Sequence, residues 1–212
     1  MITRPAAAPR AFTLIELLVV VAVIAILAAI AIPNFLEAQV RAKVSRVKSD
    51  QRVLAAAMEA YAVHHGVYPP DQDNNIQHQT ERGFLLLTTP IAFITSLYRD
   101  PFSPPFDPAM ADAMNIAAHY YMASGSDNER ENDPAIGTVN AFAIISIGPN
   151  QRDDAQGTDS FPFLTNFDVY DPTNGSTSRG EVLRFGGNYR SGTWTLNDLP
   201  YGLWSVTDVM PQ

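Results

Sequence analysis

The sequence predicts an α+β chain in which one long N-terminal helix precedes a small antiparallel sheet. Three observations predict it. Residues 12–32 form a run of 21 positions with one charged side chain, Glu16. Leu36, Val40, Val44, Val47, Leu54, Met58 and Tyr61 then recur at helical spacing, with Gln51 as the polar interruption, which is the pattern of an amphipathic helix face. Beyond Gly66, proline, aspartate and asparagine become frequent and the apolar runs shorten to strand length.

Taken in order, residues 1–11 are a leader whose charged side chains are Arg4 and Arg10. Residues 12–32, as a helix rising ~1.5 Å per residue, match the ~30 Å hydrocarbon core of a bilayer. A carboxylate in such a segment costs ~2.5–3.5 kcal/mol at the membrane centre on insertion scales, so Glu16 requires a partner. Pro33 closes the apolar run without ending the helix. It removes the hydrogen bond to the Ala29 carbonyl and disfavours a regular interior turn by ~3 kcal/mol, a break that membrane helices tolerate when neighbours satisfy the freed groups. Residues 33–65 form the amphipathic half. Its polar face holds Arg41, Lys43, Arg46, Lys48 and Arg52, which Asp50 and Glu59 are too few to neutralise. Gly66, followed by Tyr68-Pro69-Pro70, is the expected C-terminal cap after His64-His65.

Residues 66–212 form an acidic globular head. Residues 84–87 and 91–94 flank Thr88-Thr89-Pro90 and suit short helical turns, and 100–106 suits an ordered loop. Residues 118–123, 141–147 and 181–185 are the strand candidates, and Asn174-Gly175 is a turn signal. The sheet is expected to pack on the helix. No element is assigned to residues 191–212, which hold both tryptophans, Trp194 and Trp204.

The net charge of −8 conceals an asymmetry. From Gly66 onward seven arginines face 18 acidic side chains. So acidic a head argues against binding a nucleic-acid backbone and fits cations or a solubilising surface. Cysteine is absent, which excludes disulfides, thiolate metal sites and cysteine nucleophiles. Neither Gly-x-Ser-x-Gly, Gly-x-x-x-x-Gly-Lys nor His-Glu-x-x-His occurs, and no enzyme activity is expected. His64 and His65 are adjacent and diverge around a helix, while His78 and His119 are isolated. Asn174-Gly175-Ser176 matches a glycosylation sequon, but a turn explains it better.

The basic leader, the small residue Ala11, then Phe12-Thr13-Leu14-Ile15-Glu16 and a long apolar helix resemble the N-terminus of type IV pilins and type II secretion pseudopilins. The resemblance implies a pilin-like fold. It implies cleavage by a prepilin peptidase between Ala11 and Phe12, and methylation of the new Phe12 amine. Ala11 stands where that family usually has glycine. Phe12, Glu16 and Pro33 then become assembly residues, with the helices packed at the centre of a homopolymeric filament. Also implied are a prepilin peptidase and an inner-membrane assembly platform as partners. The chain is then single-pass in the bacterial inner membrane, leader cytoplasmic and head on the periplasmic side, before it joins an extracytoplasmic filament. Counting positive charges alone favours the opposite orientation, because Arg41, Lys43, Arg46 and Lys48 outnumber Arg4 and Arg10. A cleaved signal peptide ending at Ala29-Ile30-Ala31 is disfavoured by Glu16 within the apolar run.

The head is similar to the major pseudopilin of type II secretion. That family has Leu-x-x-Asp-Pro-Trp, a paired-tyrosine strand and Ser-x-Gly-x-Asp-Gly, and here Leu97–Phe102, Tyr120-Tyr121 and Ile145–Asn150 follow in that order. Phe102 replaces the tryptophan, and Asn150 replaces the aspartate. The resemblance implies a pseudopilus subunit that supports protein export and a calcium ion in the loop that follows. Asn150, Asp153, Asp154 and Asp159 supply oxygens there, with Asp127 in a second acidic loop; calcium takes 6–8 oxygen ligands. A solvated acidic turn, partly neutralised by Arg152, explains the same residues. The alternatives for the whole chain are a type IV pilus subunit for adhesion, motility or DNA uptake, and a non-polymerising membrane-anchored binding domain.

Overall fold

A computed structural model of the chain describes residues 12–71, 83–103, 120–125, 139–152, 154–157, 161–163 and 165–202. One helix, α1, runs from Leu14 to His65 and continues through Pro33. It starts two residues later than the apolar pattern indicates. It stops where Gly66, at φ 84°, donates its N–H to the Ala62 carbonyl at 2.8 Å. Positive φ is inexpensive for glycine, which makes this a C-terminal cap.

The chain divides into two compact units, residues 1–39 and 40–212. In the first, the described side chains are exposed except for half-buried Ala28. Its apolar helix is long and apolar enough to cross a membrane, with a mean hydropathy of 3.1 over its best window.

In the second unit, Val44, Val47, Gln51, Leu54, Ala55, Ala57 and Met58 form the buried face of α1. They meet a three-stranded antiparallel sheet of β1 (Tyr121–Ser124), β2 (Ala141–Ser146) and β4 (Val182–Gly187), with β2 in the centre. The register pairs Met122 with Ile144 and Phe142 with Gly186. Met122, Phe142, Ile144 and Val182 pack toward the helix core. Ala123, Ala141, Ala143 and Ile145 pack into a second core with Phe161, Phe167 and Trp194. All six residues of β2 are buried, which is why its sequence is a continuous apolar run rather than an alternation. Gly186 is forced by packing, since a Cβ there would collide with the Phe142 ring.

The polar interruption in the helix stripe is a tie to the sheet. The Gln51 amide donates to the carbonyls of Ile144 at 3.2 Å and Val182 at 2.6 Å, one on β2 and one on β4. The connection after the helix is fixed to β2 as well. Asn140 accepts from Tyr68 N–H at 3.0 Å and donates to the Gly66 carbonyl at 3.4 Å.

Two features differ from the sequence reading. Residues 91–94 form bends, whereas Gly83–Leu87 does form a 3-10 turn. A second small sheet also exists, of β3 (Asn166–Phe167), β5 (Thr195–Leu196) and β6 (Leu199–Pro200), with β3 parallel to β5 and β5 antiparallel to β6. Its strands are two residues long, too short to leave a periodic signature. The sequence trace it does leave is Asn197-Asp198, both at positive φ, the conformation of a two-residue hairpin loop. Trp194 is fully buried, with its indole N–H donating to the Tyr189 carbonyl at 2.6 Å. Trp204 and part of the 100–106 loop lie outside the described residues. The architecture is the α+β class expected, with a long helix on one face of the sheet and an aromatic layer on the other.

Candidate assembly and processing site

Phe12 is 76% exposed and lies two residues upstream of the helix. Thr13 is the residue before the first helical position, and Glu16 lies three residues later. Thr13 donates its backbone N–H to Glu16 Oε2 at 2.9 Å and its hydroxyl to the same oxygen at 2.7 Å. Glu16 N–H returns a bond to the Thr13 hydroxyl oxygen at 3.3 Å. This is a reciprocal capping box, in which side chains satisfy the amides that a helix start leaves open. Its Thr-x-x-Glu signature stands in the sequence. The membrane cost of Glu16 drew attention to a distant partner, and the local one was missed.

Both Thr13 donors reach Oε2. Among the described residues, Oε1 accepts no hydrogen bond. Among the described residues the carboxylate is therefore half satisfied. Pro33 lies inside α1, also exposed. Ala11, the residue before the expected cut, lies outside the described residues.

In the head, two of the segments that resemble the pseudopilin pattern meet at one buried carboxylate, and the third is tied to the helix. Asp100 accepts from Phe102 N–H at 2.9 Å and from Ile147 N–H at 3.1 Å, so it joins the 97–102 segment to the end of β2. Burial pushes its carboxyl above the usual range, opposed by these N–H donors. The Tyr120 hydroxyl donates to Asp50 on α1 at 3.1 Å. Burial and then the Asp50 charge raise the Tyr120 phenol above its ordinary value.

The acidic loop is organised by hydrogen bonds. Asn150 Nδ2 donates to Asp154 Oδ2 at 2.6 Å, and Gly180 N–H donates to the same oxygen at 3.0 Å. Asp154 N–H donates to Glu181 Oε1 at 2.6 Å. Glu181 is fully buried immediately before β4, where the sequence reading had it only as a strand residue. Asp153, Asp159 and Asp127 lie outside the described residues. Among the described residues no three acidic, histidine or cysteine side chains converge as a metal site. Asn150 and Asp154 by themselves are an amide donor on a carboxylate, not two oxygens facing one cation.

Residues 8–32 match the family model described as the prokaryotic N-terminal methylation motif. The chain is 47% identical over 74 residues to the type IV major pilin protein PilA of Myxococcus xanthus, covering 35% of this chain and 33% of that protein. It is 41% identical over 61 residues to the type II secretion system core protein G of Pseudomonas aeruginosa, covering 29% and 43%. The N-terminal segment is thus similar to those of type IV pilins and of a type II secretion core protein. Fimbrial protein EcpB of Eikenella corrodens is 37% identical over 78 residues, covering 36% of this chain and 49% of that protein. The matched segments thus span a third to a half of these relatives, and no solved structure matches. What the chain shares with them is the methylation motif and the apolar helix that follows it.

Proposed function

We propose that the chain is cut between Ala11 and Phe12, methylated at Phe12 and polymerised into a type II secretion pseudopilus that supports protein export. The observation that carries the assembly step is the half-satisfied Glu16. Cleavage creates a free amine on Phe12 with an ordinary pKa of ~7.7–8, largely positive near neutrality. Methylation keeps that charge. In a helix-packed, low-dielectric filament core, the Phe12 amine of one subunit pairs with Glu16 Oε1 of its neighbour while Thr13 holds Oε2. A misplaced subunit buries a carboxylate lacking its charged partner, a larger penalty than any surface ion pair supplies. The pair therefore fixes register more than it adds stability.

Support for the pseudopilus is the ordered meeting of the Leu97–Phe102, Tyr120 and Ile145–Asn150 segments around Asp100 and Asp50. The type IV pilus is the second reading, favoured by the matches to PilA and EcpB. Glu16→Ala is expected to insert in the membrane and to assemble poorly; filament yield equal to the parent refutes the pairing. Deleting the gene separates the two roles, since a pseudopilus subunit loses protein secretion and a pilus subunit loses motility, adhesion or DNA uptake.

Calcium in the 150–159 loop belongs to the same proposal. Asp153 and Asp159 would have to join Asn150 and Asp154, with the Asn150 amide turned to present its oxygen. Melting the full-length protein with calcium and with chelator is expected to show a higher Tm with calcium. An unchanged Tm removes the ion from the reading.

A further inference from the structure

The helix beyond the apolar run has a second exposed face. At 100° per residue, Ala42, Ser45, Ser49, Ala56 and Ala60 lie opposite the buried Val47, Gln51, Leu54 and Met58, and all five are exposed. Lys48 and Arg52, four residues apart and exposed, border this face on one side. The other basic groups nearby have contacts in their own chain. Arg46 pairs with Asp50 at 3.6 Å, and Lys43 lies 5.5 Å from the centre of the Phe102 ring. Among the described residues no carboxylate pairs with Lys48 or Arg52. Residues 66–212, by contrast, carry 18 acidic side chains against seven arginines.

We propose that Lys48 and Arg52 form an electrostatic docking edge for the acidic head of a second copy of this chain. The inference rests on the filament reading and adds a contact outside the apolar segment. Charge complementarity selects the occupant, because the chain carries a cationic stem and a head of opposite sign. Small side chains beside the two cations let that second copy approach closely. An anionic lipid surface is the weaker occupant. Lys48 lies 16 residues past Ile32, about 24 Å of helical contour, well beyond the ~8 Å over which exposed charges act at physiological salt. Such pairs set partner orientation and association rate more than they add affinity.

The test uses the processed full-length protein in detergent, with polymer measured by sedimentation at about 50 and about 500 mM NaCl, where the screening length falls several-fold. Parent polymer is expected to decrease at the higher salt. K48E/R52E is expected to need roughly tenfold more protein to polymerise at low salt, as two reversed surface pairs imply, with K48Q/R52Q intermediate. Tryptophan fluorescence and far-UV circular dichroism equal to the parent's certify folding of both variants. Equal assembly and equal salt dependence in K48E/R52E overturns the inference. So does a variant that assembles like the parent and loses only binding to vesicles of anionic phospholipid, which assigns the edge to lipid. Glu16→Ala run in parallel separates the two levels. If the parent and Glu16→Ala both remain monomeric, the filament reading fails and this inference with it. If the parent polymerises and Glu16→Ala does not, failure of K48E/R52E to differ counts against the docking edge alone.

Discussion

Replacing Gln51 by leucine tests how the helix is held to the sheet. The substitution nearly conserves volume, so little cavity is created, but it removes the amide that donates to the Ile144 and Val182 carbonyls at 3.2 and 2.6 Å. Gln51 is 1% exposed, so water does not replace the lost donor. A neutral hydrogen bond contributes ~1 kcal/mol net, and stranding a buried polar group costs ~1–3 kcal/mol. The shorter bond to Val182 carries most of the effect, and Gln51→Leu should destabilise by about 2–4 kcal/mol. That is a large fraction of the ~5–15 kcal/mol by which domains are stable. Urea unfolding of the detergent-solubilised protein, followed by fluorescence of buried Trp194, should show a midpoint lower by about 1–2 M at an ordinary m-value of ~1–3 kcal/mol per M. Gln51→Glu provides the control. Its carboxylate sets acceptor against acceptor at neutral pH and regains one donor when protonated, so its defect should shrink as pH falls. A Gln51→Leu unfolding free energy within ~0.5 kcal/mol of the parent, the range of ordinary surface substitutions, would refute the assignment of Gln51 as a tie.

Thr13→Val keeps side-chain shape and removes the hydroxyl of the capping box. Losing such a cap costs ~1 kcal/mol, so amide hydrogen exchange over Leu14–Glu16 should accelerate about fivefold; unchanged exchange would mean the box holds nothing. Asp100→Asn tests the buried carboxylate. Because burial raises the folded-state pKa of Asp100, its stabilising linkage is fully present below the unfolded value of ~3.9 and is lost as pH rises through the raised value. Parent stability relative to Asp100→Asn should therefore grow as pH falls through that window, and parallel urea midpoints at pH 7 and pH 4 would exclude the linkage.

Long elements and strong periodicities were legible in the sequence. The apolar run, the stripe from Leu36 to Tyr61 and the Gly66 cap define α1, and the three main strands lie within three residues of the segments rich in aromatic and β-branched side chains. Short-range or long-range hydrogen bonding was harder to see. Thr13 was visible as a capping residue, but the membrane argument concealed it. The second sheet escaped because two-residue strands have no period, and only Asn197-Asp198 marked its hairpin. Gln51, Asp100 and Glu181 matter through partners 47 to 131 residues away for the first two and 27 for the third, and no local pattern encodes such distances.

The sheet separates two cores that share β2, one against the helix and one around Trp194. Substitutions more than ~7–10 Å apart with no shared partners usually add without coupling. Changes among Phe161, Phe167 and Trp194 should thus reshape the outer layer of the head while leaving Val47, Leu54 and Met58 seated. Such a partition lets the outer layer of the head tolerate change while the face that seats the helix keeps its packing.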